Sequence, residues 1–207
     1  FVNDGSQDTT STLLETVANQ SDRVSFLDLE FNVGKAEAIR QGVLSVNHSN
    51  YELIGYFDAD LAAPLTEIEN LLSTSRKIKS PEFILGSRIK LLGFSSIQRK
   101  LSRHYIGRVF ATIVSNMLQL AIYDTQCGAK LIKSQLALDL FKEPFLSKWL
   151  FDVELLFRFK SKVPNYEACI IEVPLNNWED IAGSKIKFTY FLKAPLDLIR
   201  IYFKYRA

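Results

Sequence analysis

The stretch Leu53-Ile54-Gly55-Tyr56-Phe57-Asp58-Ala59-Asp60-Leu61 constrains the fold more than any other part of the chain. An apolar run reads as a buried strand, and it ends abruptly in two carboxylates one residue apart. In an extended chain alternate side chains point to the same side, so Asp58 and Asp60 are expected to converge on one object. The natural object is a hard divalent cation, Mg²⁺ or Mn²⁺, held by one or two carboxylates and by the phosphates of a substrate. A bare Asp-x-Asp also serves as a solvated turn, here ahead of Pro64. The surrounding sequence decides between the two.

Strands alternate with helices through the first half. Phe1-Val2 runs into the turn Asn3-Asp4-Gly5-Ser6, and Ser6 or Asp8 can cap a helix whose Leu13, Leu14, Val17 and Ala18 share a face. Val24 to Leu29 is a second strand, followed by the turn Phe31 to Lys35 and a short helix marked by Ala36, Ile39 and Val43. After the acidic strand, Thr66-Glu67-Ile68-Glu69 is a capping-box pattern, and Glu82 to Gly86 is a further strand ending in Ser87-Arg88. This alternation predicts an α/β fold, a three-layer sandwich with a mostly parallel sheet. Ligands of such sheets sit outside the carboxyl ends of the strands. Asp4, the turn to Lys35, Asp58 with Asp60, and Arg88 all fall there.

The second half is more helical. Gln98 to Gln119 reads as one long helix, basic in its first part and apolar in its second. Trp149 to Leu156 opens another, with Asp152 and Glu154 in an apolar setting, and Ala168 to Val173 is a strand. From Phe188 onward, Lys193, Asp197, Arg200 and Lys204 share one stripe beside Leu192, Leu196, Ile199 and Phe203. That tail, 188–207, suits either a helix lying in a membrane interface or one docked on its own domain, 1–187.

The chain has 207 residues, 47% hydrophobic and 23% charged, so it has the means to build a core. A net charge of +2 gives no sign of nucleic-acid binding, and self-association is left open. The basic residues cluster locally: Arg88, Lys90, Arg99, Lys100, Arg103 and Arg108. Two cysteines, Cys127 and Cys169, lack zinc spacing and suit a reduced, cytoplasmic setting. The opening residues are strand-like rather than a signal peptide. Neither His48 nor His104 makes a convincing catalytic base. An acid pair, an aspartate turn and a basic cluster together predict a nucleotide diphosphate ligand and a second, acceptor phosphate.

These residues carry a resemblance. Val2-Asn3-Asp4-Gly5-Ser6-x-Asp8, Asn32-x-Gly34-Lys35, Asp58-Ala59-Asp60-Leu61 and Gly86-Ser87-Arg88 resemble family 2 glycosyltransferases of the GT-A fold. Asp124-Thr125-Gln126-Cys127-Gly128-x-Lys130-Leu131, Trp149-x-Phe151-Asp152-Val153-Glu154-Leu155-Leu156 and Gly183-Ser184-Lys185 are similar to dolichyl-phosphate glucosyltransferases, relatives of the polyprenyl-phosphate mannosyltransferases. The resemblance implies transfer of a hexose from a nucleotide sugar to a polyprenyl phosphate at the cytoplasmic face of a membrane. UDP-glucose is favoured over GDP-mannose. It implies that Asp4 and Lys35 help bind the nucleotide sugar and that Asp58 and Asp60 bind nucleotide sugar and metal. Arg88, Arg99 and Arg103 would hold the acceptor phosphate, and Gln126, Asp152 and Glu154 would line the sugar side. Trp178 and Lys185 would belong to a closing loop. Asp60, Arg88, Arg99, Arg103 and Asp152 are thus the expected catalytic set. Two departures stand out. The family begins one strand and one helix earlier, and Ala62 stands where mannosyltransferase relatives often carry glutamine. A family 2 transferase acting on a sugar hydroxyl, with Asp152 or Glu154 as base, and a non-catalytic nucleotide-binding module are the rival readings.

Overall fold

Helix α6 (Phe151–Lys162) is the element around which the larger core is built: every side chain from Phe151 to Phe159 is buried. The computed structural model describes residues 1–77, 81–91, 93, 95–98, 101–181 and 188–206; for 98, 101–104 and 188–192 it describes the backbone. Against α6 lies a four-stranded sheet in the order β3 (Leu53–Phe57), β6 (Ala129–Lys133), β4 (Phe83–Ser87), β7 (Ile170–Pro174). Strand β6 runs antiparallel to both neighbours, while β4 and β7 are parallel. Three of the four strands therefore point one way. The one reversal, β6, is a feature the alternation of strands and helices does not announce.

One face of the sheet sends Ile54, Tyr56, Phe83, Leu85 and Ile132 toward α6 and helix α5 (Ser134–Phe141). Edge-to-face rings such as Phe83–Phe159 at 5.4 Å fill that layer. The other face packs Ile84, Ala129, Leu131 and Val173 against Leu71 of α3 (Glu67–Ser75). Strand β4 is buried throughout because it sits between layers.

Strands β1 (Val2–Asn3) and β2 (Leu27–Asp28) form a separate parallel pair, shorter than the sequence suggests. The helix between them, α1 (Thr10–Ala18), has no buried residue, and its expected inner residue Leu13 is exposed. Helix α2 (Lys35–Ser45) buries Ala36, Ala38 and Val43 and packs on both β1 and β3. A third pair, β5 (Ser96–Gln98) with β8 (Asn177–Glu179), is parallel and was not expected from the sequence. The short helix α7 (Tyr166–Cys169) leads into β7.

Helix α4 (Leu101–Leu118) and the final helix α8 (Phe188–Tyr205) both pack against α6. Leu198 and Ile201 of α8 belong to the main core. Helix α8 thus packs on the domain through this face, while Leu196, Ile199 and Phe203 remain exposed on its far side. No helix among the described residues is long and apolar enough to cross a membrane.

Candidate active site

The rim formed by the carboxyl ends of β3, β4 and β7, and by the start of the antiparallel β6, gathers most of the polar residues singled out above. Its first corner is the β1 turn. The Asp4 carboxylate accepts bonds from Val33 N at 2.7 Å and from Gly34 N at 3.0 Å, and Asn32 Nδ2 donates to Asp4 O at 3.0 Å. Asp4 therefore shapes the turn that launches α2. Gly34 sits there at φ 93°, a conformation only glycine adopts freely. The first residue of α2 is Lys35, whose ammonium lies 2.6 Å from Asp58 Oδ1. That ion pair joins the β1 corner to the end of β3.

Asp58 continues the ladder of β3, since its N–H donates to Gly128 O at 2.9 Å. The chain then leaves the extended conformation. Leu61 N donates to Asp58 O at 3.1 Å, Ala62 N donates to Asp60 Oδ1 at 3.0 Å, and Leu61 takes φ 55°. A leucine in the left-handed region is a strained position of the kind found at binding sites. Asp58 and Asp60 thus reach the rim through a tight turn, not through strand alternation as expected. Asp58 is half-buried and Asp60 exposed. Their hard carboxylate oxygens suit a divalent cation. No third His, Cys, Asp or Glu joins them among the described residues, so diphosphate oxygens and water would complete a metal's shell.

The second corner is Arg88 at the end of β4. Its guanidinium forms a fork with Asp124: Nε to Oδ2 at 2.6 Å and Nη2 to Oδ1 at 2.8 Å. The ring of Trp178 on β8 lies 5.4 Å from the guanidinium carbon. Burial alone would lower the Arg88 pKa, but the Asp124 carboxylate more than offsets this and the net shift is upward. Arg88 is therefore a permanent charge, paired with Asp124. Below it, Glu172 of β7 accepts Tyr123 N at 2.7 Å and Asp124 N at 2.6 Å. Burial holds the Glu172 carboxyl above its ordinary 4.5. Gln126 is half-buried beside Arg88, Arg108 and Tyr123, which together line a cavity of about 30 Å³. Cys127 is buried, and burial pushes its thiol up to about 12, so it stays protonated and inert.

Two expected site residues lie beneath the rim. Asp152, in the first turn of α6, accepts Tyr56 Oη at 2.5 Å and Lys130 Nζ at 2.6 Å. Lys130 is completely buried and also donates to Cys127 O at 2.6 Å. The triad ties β3, β6 and α6 together through one oxygen of Asp152, which lies buried beneath the rim. Glu154 is fully buried as well. It accepts Arg158, Tyr205 Oη at 3.0 Å and Leu146 N at 2.7 Å, and so serves the docking of α8 rather than a sugar. Arg99 and Lys185 lie outside the described residues, as does the side chain of Arg103.

Sequence reasoning gave no role to Lys130, Glu172 or Glu67. Glu67 is buried and accepts Asn176 N at 3.1 Å and Asn177 N at 2.8 Å, fixing the entry to the Trp178 strand. A lysine inside the apolar run Ala129-Lys130-Leu131-Ile132 was the available signal for a buried ion pair.

The layered α/β core with an acid-tipped strand at its rim is the GT-A fold. Solved structures of glucosyl-3-phosphoglycerate synthase from Mycobacterium tuberculosis superpose with TM-scores of 0.67 (complex with UDP) and 0.66 (complex with Mn²⁺ and UDP-glucose). Each is 14% identical and covers 97% of this chain, against 67% and 66% of its own. Residues 1–141 match the family described as Glycosyl transferase family 2, and the chain belongs to that family. Dolichyl-phosphate beta-glucosyltransferase ALG5C of Trichomonas vaginalis is 34% identical over 100% of this chain and 60% of its own length. The dolichyl-phosphate beta-glucosyltransferases of Mus musculus and Homo sapiens are 34% and 33% identical over 99% of this chain, each matched over 63% of its length. The chain thus spans about three fifths of the relatives it matches.

Proposed function

We propose that this chain carries the catalytic domain of a metal-assisted glycosyltransferase moving glucose from UDP-glucose to dolichyl or another polyprenyl phosphate. The observation that carries the reading is the Asp58–Asp60 turn at the mouth of β3, with Lys35 on Asp58 and the Arg88–Asp124 fork on the same rim. The names of the relatives supply the acceptor, and the UDP-glucose and Mn²⁺ of the solved neighbours supply the donor and metal.

A divalent cation bound by Asp58 and Asp60 would supply Lewis-acid neutralisation of the diphosphate leaving group. The chain's own residues do the rest. Lys35 adds a half-exposed positive charge beside the acid pair. The fixed Arg88 guanidinium keeps the opposite corner charged at every working pH. In the reaction an acceptor phosphate oxygen bonds to the anomeric carbon as the bond to the diphosphate breaks, and the nucleotide diphosphate leaves. A phosphate oxyanion needs no general base. A sugar hydroxyl acceptor would need one, and the two carboxylates considered for that role, Asp152 and Glu154, are buried, Asp152 holding Lys130 and Tyr56 on one oxygen and Glu154 holding Arg158 and Tyr205. Arg99 and Arg103 remain the proposed acceptor-phosphate residues, with Gln126 and Trp178 beside the donor. The reading places the chain at the cytoplasmic face of a membrane.

The test is transfer of labelled glucose from UDP-glucose to dolichyl phosphate with and without Mn²⁺, run beside GDP-mannose and beside free sugar acceptors. Metal-dependent glucosyl-lipid, lost in Asp60→Ala, is the expected result. Unchanged metal-dependent donor binding and turnover in Asp60→Ala would refute the site.

A further inference from the structure

Helix α4 is apolar on two opposite faces, and only one of them is covered. Ala111, Val114 and Leu118 face the core. Among the described side chains of α4, the exposed ones are Tyr105, Ile106, Val109, Thr112, Ile113 and Asn116. Their spacing of i, i+1, i+4, i+7, i+8 and i+11 makes a single stripe three turns long. It holds no charge. Tyr105 is 67% exposed, Ile106 56%, Val109 64% and Ile113 47%. A helix that meets only water would carry charged residues there, and a contiguous apolar stripe marks an interaction surface.

The charge that neighbours the stripe in the sequence selects the occupant. From Phe83 to Tyr123 the sequence has no Asp or Glu, and besides Arg88, which Asp124 pairs, it has five Lys or Arg: Lys90, Arg99, Lys100, Arg103 and Arg108. A second copy of the chain would set this acid-free segment against another of the same sign. A leaflet with anionic headgroups reverses that sign and offers acyl chains to the apolar stripe. Helix α8, packed on the same α6, repeats the chemistry: Leu196, Ile199 and Phe203 are exposed beside Lys193, Arg200 and Lys204.

We propose that the outer face of α4 lies in the headgroup–acyl boundary of an anionic membrane and is the chain's principal lipid-docking surface. This deepens the proposed function, resting on it only in that the acceptor is lipid-borne. The decisive experiment is co-sedimentation of the full chain with phosphatidylcholine vesicles, with and without phosphatidylserine. The comparison is wild type against Ile106→Ser/Val109→Ser/Ile113→Ser, whose changes touch no core residue, with circular dichroism to verify folding. Removing this buried apolar area should weaken binding to the mixed vesicles about tenfold or more. Donor binding, read as the thermal shift with UDP-glucose and Mn²⁺, should stay as in wild type. Unchanged vesicle binding by the variant overturns the proposal, as does equal wild-type binding to neutral and anionic vesicles. A wild-type dimer that becomes monomeric in the variant, with vesicle binding unaltered, assigns the face to self-association and also overturns it. If vesicle binding falls as expected but no glucosyl-lipid forms in any transfer assay, the surface stands and the catalytic reading fails.

Discussion

Gly128 lies directly beneath Asp58: a β-carbon at that position would overlap the Asp58 carboxyl group. The same glycine accepts the Asp58 N–H at 2.9 Å, so one residue sets both the backbone and the side-chain placement of the acid. Gly128 starts no turn and has no positive φ. Its lack of a side chain is explained by this contact alone.

Gly128→Ala should therefore act on the site more than on the fold. The half-exposed Asp58 side chain can swing outward to relieve the overlap, leaving the ladder intact. Affinity for UDP-glucose with Mn²⁺ should drop about tenfold or more, equivalent to about 1.4 kcal/mol, with a small change in melting temperature. Titration calorimetry beside a thermal melt checks this, and a large loss of stability with unaltered donor affinity would contradict it.

The Lys130–Asp152 pair behaves as structure rather than as catalyst. Both groups are buried, and Tyr56 Oη satisfies the same carboxylate oxygen. Taking one partner from a buried pair strands the other charge and costs about 3–5 kcal/mol, whereas replacing both with apolar residues is far milder. Lys130→Met should be strongly destabilising in urea denaturation, and Lys130→Met/Asp152→Leu should recover much of the loss. A lone Asp152→Asn that abolished turnover without touching stability would restore the acid to a substrate-facing role.

Glu172 gives a pH dependence of definite sign. Its folded carboxyl is raised above 4.5 by burial, so the native state holds its proton more tightly than the unfolded chain does. Its contribution is most favourable below about 4.5 and is lost as pH rises from there through the higher folded value. Glu172→Gln should flatten the fall in stability over that window. Chemical denaturation of both proteins from pH 4 to about 7 reads the difference in slope directly. A steeper fall in the variant would exclude burial as the cause.

How much of this could be read from residues alone differs by element. The acid-tipped strand, the turn to Lys35 and the strand ending at Arg88 were legible because each is a local pattern: an apolar run broken by a polar group. The reversed β6 was not, because a strand of five residues carries no sign of its direction. The structural partners of Asp152 and Glu154 were hidden for a related reason. Two acids in an apolar helix look like a site until their partners are known, and Lys130 and Tyr205 come from 22 and 51 residues away. The turn that delivers Asp60 was hidden too, since leucine at φ 55° runs against local preference and is imposed by its surroundings.

The docking of α8 rests on a compact polar network and can be loosened by one atom. Tyr205 Oη donates to Glu154 Oε1 at 3.0 Å and accepts from Arg158 Nε at 3.1 Å. Burial holds the phenol above its ordinary 10, so it remains a donor at any physiological pH. Arg158 keeps its other partners, the carbonyls of Leu140, Glu143 and Pro144, when the hydroxyl is removed. Tyr205→Phe should therefore cost about 0.5–1.5 kcal/mol, the range for losing a hydrogen bond whose partners stay bonded elsewhere. The loss should be local: amide exchange should quicken along α8, where Asp197 still accepts Ser147 Oγ at 2.8 Å, and stay slow in β3 and β4. Adding Asp197→Ala removes that second tie and should release the helix further, because one bond holds α8 to α6 and the other to the segment that precedes it. Exchange that quickens equally in β4 would mean that α8 unfolds only with the whole domain, and that its exposed Leu196, Ile199 and Phe203 belong to one rigid body with the active-site rim.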